Sequence, residues 1–158
     1  MQTTIFTGSI LNSPSNTYLI SIWEDRILKW AVAKLVLETF GEEIQEILLT
    51  QNYFEKGEAR LIKTWWKNLI FARPFDYDFK LLTILWIEWC IKSALKICEE
   101  NWFENISITA LSWNYLPDSE NQINEITKLA LKEYFSRNQN SCIKEIFLIN
   151  YDREIFRI

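Results

Sequence analysis

Residues 18–23 (Tyr-Leu-Ile-Ser-Ile-Trp) form a run that is apolar on both faces and rich in β-branched side chains. A strand with no wet face belongs inside a sheet that is covered on both sides. Further β-prone runs at 3–6, 59–64, 69–72, 106–111 and 144–151 alternate with stretches of helical periodicity. That alternation predicts a three-layer α/β/α sandwich around a central, largely parallel mixed sheet. Asp25 is expected to cap a helix running to about Phe40, with Leu28, Val32 and Leu35 on its apolar stripe and Gly41 at its C-terminal stop. A short helix follows at 42–50. Asp76 or Asp78 opens a long helix to about Glu100, and Ser119 with Gln122 has capping-box spacing for a last helix to about Arg137. In that last helix Ile123, Ile126, Leu129, Ala130 and Phe135 are expected to face inward. No repeat or low-complexity linker divides the chain, and 158 residues suit a single domain spanning 1–158.

Several functions fall away on composition. A net charge of −4 is the wrong sign for a nucleic-acid footprint. The most apolar stretch, 79–98, carries Lys80, Glu88, Lys92 and Lys96, so it reads as a buried soluble helix and no membrane partner is expected. With no basic-then-apolar leader pattern, the expected location is cytoplasmic. Cys90, Cys98 and Cys142 show no metal-ligand spacing, and eight helical residues put the first two about 12 Å apart, too far to bridge. They are expected as packed thiols. The chain has no histidine, which removes Ser-His and Cys-His dyads and His-ligated metals, so neither a metal nor a cofactor is expected. Three glycines cannot supply a Gly-rich phosphate loop.

A set of short strings, in order, gives the chain a relative. Thr7-Gly8-Ser9-Ile10 resembles the opening x-G-D-I of the macro domain, the ADP-ribose-binding α/β/α module, and Tyr18-Leu19-Ile20-Ser21 resembles its D-A-I-V-N strand. Phe40-Gly41-Glu42-Glu43 is similar to the helix end and acidic restart that follow. Lys56-Gly57-Glu58-Ala59 is similar to its x-G-E-A approach to the next strand. Asn105 through Leu111 resembles the k-S-I-A-F-P-A-L strand, Pro117 the G-F-P helix start, and Ile146 through Asp152 the closing strand. The resemblance spans nearly the whole chain.

The departures from that family cluster in one place. Ser9 stands where the family holds adenine with Asp. Ser21-Ile22-Trp23-Glu24 stands at the ribose-contacting N-A-A-N, with no asparagine at either end. The Gly-rich loop after it is missing. The second phosphate loop, P-A-x-G-T-G-x-x-G-x-P, corresponds to Thr109 through Pro117, which has no glycine. Close backbone approach to a diphosphate needs glycine's freedom. Gly8, Gly41 and Gly57 instead match positions where the family turns its chain. Glu24 and Asp25 add negative charge where a dianion would sit.

The candidate ligand cleft suggested by this alignment is Ser9, Ile10, Glu24, Trp113, Asn114 and Tyr115, the last three at the carboxyl end of a central strand, where open α/β sheets place ligands. Those bulky side chains could stack on a base or fill the vacated cleft, and the second is favoured. Glu24 and Asp25 could act as an acid/base pair or ligate Mg²⁺, but a helix N-cap role accounts for them. Eight tryptophans are the oddest feature of the composition. Trp30, Trp86 and Trp89 are expected in the core. Trp65 and Trp66 are adjacent, so on a strand they would point to opposite faces and leave one exposed; with Lys67 they form a candidate interaction surface. The leading expectation is a non-enzymatic module with a degenerate ADP-ribose site, working through a protein partner or self-association. The alternatives are a module for a nucleotide-derived ligand in a remodelled cleft and an ADP-ribosyl hydrolase, whose usual Asn, His or Asp beside a Gly loop is not visible.

Overall fold

The computed structural model describes residues 1–29, 31–74, 83–111 and 119–150. Among them the strands are β1 (Gln2–Thr7), β2 (Thr17–Ser21), β3 (Ala59–Lys63), β4 (Asn68–Ala72), β5 (Asn105–Ile108) and β6 (Glu145–Asn150). They form one sheet in the order β1-β6-β5-β2-β4-β3. Every pairing is parallel except β3 against β4. The helices are α1 (Ala31–Phe40), α2 (Glu42–Thr50), α3 (Thr83–Asn101) and α4 (Ser119–Arg137).

Strand alternation divides the core in two. Leu19, Ile70, Ala72, Ile106, Ile146 and Leu148 pack with Ile87, Ile91, Leu95, Ile123 and Ala130 of α3 and α4. Tyr18, Ile20, Leu69, Phe71, Phe147 and Ile149 pack with Ala33, Val36, Ile44 and Leu48 of α1 and α2. β2 and β4 therefore bury both faces, as the apolar run at 18–23 requires, and each buried Leu or Ile contributes about 1.5–3 kcal/mol. The expected three-layer α/β/α sandwich is the observed one.

Local expectations needed four corrections. The helix assigned to Asp25 begins at Ala31. Asp25 instead closes a turn: its Oδ1 accepts the Ile27 N–H and its Oδ2 pairs with Lys29. Leu28 is buried from that loop, while Ala33 and Val36 are the buried positions of α1. Leu129 is exposed, because α4 buries the Ile123, Thr127, Ala130, Leu131 row and 129 lies on its far side. Trp89 is 56% exposed and Trp86 is only partly buried. The expected starts of α3 at Asp76 or Asp78 lie outside the described residues, as do Trp30 and Pro117. No helix among the described residues is long and apolar enough to cross a membrane.

Candidate functional site

Because five strands run parallel, their carboxyl ends share one edge of the sheet. Ser9 and Ile10 follow β1, Glu24 follows β2, and Arg73 follows β4. Trp113, Asn114 and Tyr115 lie outside the described residues. Ser9 caps a 3-10 turn (Ile10–Asn12), its Oγ accepting the Leu11 N–H at 3.3 Å. Ile10 is fully buried in the core under α1 and α2, so its side chain is committed to packing. Glu24 reaches across to the neighbouring strand, 3.5 Å from an Arg73 guanidinium nitrogen. Arg73 is nearly buried, donates to the Phe54 carbonyl at 2.6 Å, and leaves Nε without a partner. The burial of Arg73 beside Glu24 comes from tertiary packing, which brings the ends of two strands together.

Most backbone amides of the loop at 22–29, after β2, are already hydrogen-bonded. The Ile22 N–H goes to the Ala72 carbonyl, the Arg26 N–H to Trp23 and the Lys29 N–H to Ile27. The Ile27 N–H goes to Asp25 Oδ1 and the Leu28 N–H to Gln45 Oε1 at 2.7 Å. Gln45 Nε2 donates back to the Arg26 carbonyl at 2.8 Å. Arg26, at φ 61°, sends its guanidinium to the carbonyls of Leu48, Leu49 and Gln51 at the end of α2. The loop is thus stapled to α2 by side chains. A diphosphate would have to compete with these bonds for each of those amides. By contrast Gly8, Gly41 and Gly57 all take positive φ, at 134°, 90° and 78°, and all mark turns between elements.

The three thiols are not poised as nucleophiles. Burial pushes the Cys90 thiol well above the usual range, Cys98 up to about 12 and Cys142 up to about 11, the latter two helped by neighbouring negative charge. Among the described residues no cluster of three or more acidic, Cys or His groups could hold a metal ion.

The second candidate surface lies at the opposite, amino-terminal end of the sheet. Trp65 and Trp66 form the tip of the β3–β4 hairpin. Both are on the surface, Trp65 at 88% exposure and Trp66 at 43%. Thr64 builds the turn: its Oγ1 accepts the Trp66 and Lys67 amides at 3.2 and 3.0 Å and donates to the Lys67 carbonyl. Phe40, at the end of α1, stacks on Trp66 at 5.6 Å, and Trp66 stacks on Trp65 at 6.3 Å. Lys67 bonds the Ser15 carbonyl and lies 5.3 Å from the Trp66 ring; its ammonium pKa is lowered by partial burial. Phe40 could not be assigned to this surface from sequence, since nothing local links it to a hairpin some 25 residues on.

No family model matches the sequence, and no curated protein matches it. Solved structures do. An Oceanobacillus iheyensis macrodomain with MES bound superposes with TM-score 0.80 at 13% identity, over 96% of this chain and 85% of that one. A Trypanosoma brucei macrodomain in complex with ADP-ribose gives 0.79 at 11%, over 98% of this chain and 66% of that one. The macro domain of ganglioside induced differentiation associated protein 2 gives 0.78 at 12%, over 97% and 78%.

Proposed function

Starting from a chain that has the macrodomain fold, we propose that it is a non-catalytic binding module, acting through protein contact at the Trp65–Trp66 hairpin, with a degenerate ADP-ribose site. The observation that carries this reading is the Phe40–Trp66–Trp65 stack beside Lys67, with both indoles at the surface. Three aromatic rings in line, with two on a turn tip, form an apolar surface that water does not favour and a partner would cover. The degenerate-site reading is supported by the occupied amides at 22–29 and by the Glu24 carboxylate paired to Arg73. The absence of histidine and the raised thiols argue against imidazole or thiolate catalysis.

The test is thermal unfolding with ADP-ribose, ADP and NAD, alongside an assay for release of ADP-ribose from a modified protein. A ligand at a hundred times its Kd stabilises a fold by about 2.7 kcal/mol. The expected result is no shift and no release; a shift with ADP-ribose or measurable hydrolysis would overturn the proposal. A second reading, a nucleotide-derived ligand in a remodelled cleft, draws on Arg73: a nearly buried guanidinium with a free Nε at the carboxyl edge suits an anionic group. The Trypanosoma brucei neighbours solved with ADP-ribose and with ADP make those the first ligands to try.

A further inference from the structure

The surface proposed for protein contact extends beyond the hairpin. Trp102, at the end of α3, is 79% exposed and has φ 58°. A helix end with that backbone ordinarily carries Gly or Asn, since a bulky side chain is strained there. Local structure therefore disfavours Trp at 102, and the core does not use it. The hairpin tip likewise holds Trp65 and Trp66 at the surface, at 88% and 43% exposure. Two separate loops thus hold indoles in water. They belong to one end of the sheet, because Lys63, at the end of β3, lies 6.0 Å from the ring of Phe103, the neighbour of Trp102.

Charge is laid out across this end with a polarity. On the α1–α2 side, Glu42 and Glu43 open α2, and α1 ends in Phe40 with no basic residue in its last turn. A helix carboxyl end is itself partly negative. On the α3 side stands the exposed Lys63, beside Phe103 and Trp102. Among the described residues Glu42, Glu43 and Lys63 have no ion-pair partner in their own chain. The aromatic stack lies between the two flanks.

We propose that this end docks a second copy of the chain in a two-fold dimer. In such a pairing the same patch meets itself, so the acidic flank of one protomer faces the Lys63 flank of its partner and the tryptophans bury each other. This inference rests on reading the hairpin as a protein-contact surface. It adds the occupant and a consequence: the carboxyl edges of both sheets lie away from the interface. A heterologous protein or an anionic lipid surface would need no matched acidic flank.

Sedimentation velocity of the full chain over a wide concentration range decides it. The expected result is reversible dimer formation, weakened about tenfold or more by Trp65→Ser, as for loss of a buried aromatic anchor. Trp102→Gly should weaken the dimer too while leaving the fold intact, since glycine accepts that backbone. Lys63→Glu should weaken it, and Glu42→Lys with Glu43→Lys in the same chain should restore it. A monomer at every concentration, or a dimer indifferent to all of these changes, overturns the proposal. So does a monomer that instead sediments with phosphatidylserine vesicles. These outcomes are separate from the ADP-ribose measurements: a nucleotide shift would sink the degenerate-site reading and leave the dimer standing.

Discussion

At the residue scale, Gly57 and Gly41 separate two reasons for glycine. Both have positive φ, 78° and 90°. A Cβ on Gly41 would meet nothing within 4 Å, whereas one on Gly57 would lie 2.7 Å from the Trp89 Cβ. Gly41→Ala is therefore expected to cost only its backbone strain, about 1 kcal/mol. Gly57→Ala adds a clash between the β3 approach and α3, for a total of about 2–3 kcal/mol. Urea denaturation of the two variants checks the order. That both glycines mark turns was legible in the sequence, because turn chemistry is local. That Trp89 lies on Gly57 was not, and this contact gives a helical Trp a role at the surface of α3 without burying it.

At the element scale, the loop at 22–29 shows how side chains replace glycine. Gln45 holds it with two bonds, from the Leu28 N–H and to the Arg26 carbonyl. Gln45→Ala is expected to destabilise the protein by about 1–3 kcal/mol, since a half-buried amide loses its acceptor. Hydrogen exchange at Leu28 should accelerate in the same variant, and unchanged exchange would show that the staple does not hold the loop. The sequence placed a helix here because Asp25 precedes an apolar periodic stretch. What prevails is long-range: Arg26 reaches the last carbonyls of α2, and Gln45 on α2 captures two backbone groups of the loop. A capping residue read without its partners from 20 residues away gives the wrong start.

At the scale of the whole molecule, acid sensitivity is spread over the surface. Burial alone would raise the carboxyls of Asp25, Glu58 and Glu99, but hydrogen bonds, joined by a cation at Asp25 and Glu58, outweigh it and hold each below its ordinary value. Glu58 is held by Arg60 at 2.9 Å and by the Glu55 N–H. Glu99 is held by the Ser141 hydroxyl and the Cys142 N–H. A depressed folded pKa contributes stability that is present above the ordinary values of 3.8 and 4.5 and is lost as pH falls through the lower folded values. Stability is thus expected to be flat near neutrality and to fall below about pH 4. Glu58→Gln should cost about 0.5–1 kcal/mol at pH 7 and almost nothing near pH 2, as measured by urea midpoints at the two values. An equal loss at both would mean that the charge on Glu58 is irrelevant.

The sequence by itself determined the layered architecture. Period-two and period-3.6 apolar patterns, and the doubly apolar run at 18–23, leave few other ways to bury that surface. It also marked the turn glycines and showed which chemistries lacked residues. Only the tertiary structure decided which groups meet: Glu24 with Arg73 across two strands, Gln45 with the loop after β2, Phe40 with the hairpin. It also stacked Trp66 between Phe40 and Trp65 and put Trp89 and Trp102 at the surface. The reason is physical: apolar periodicity is set by neighbours along the chain, while a site is set by side chains that folding brings together from distant positions.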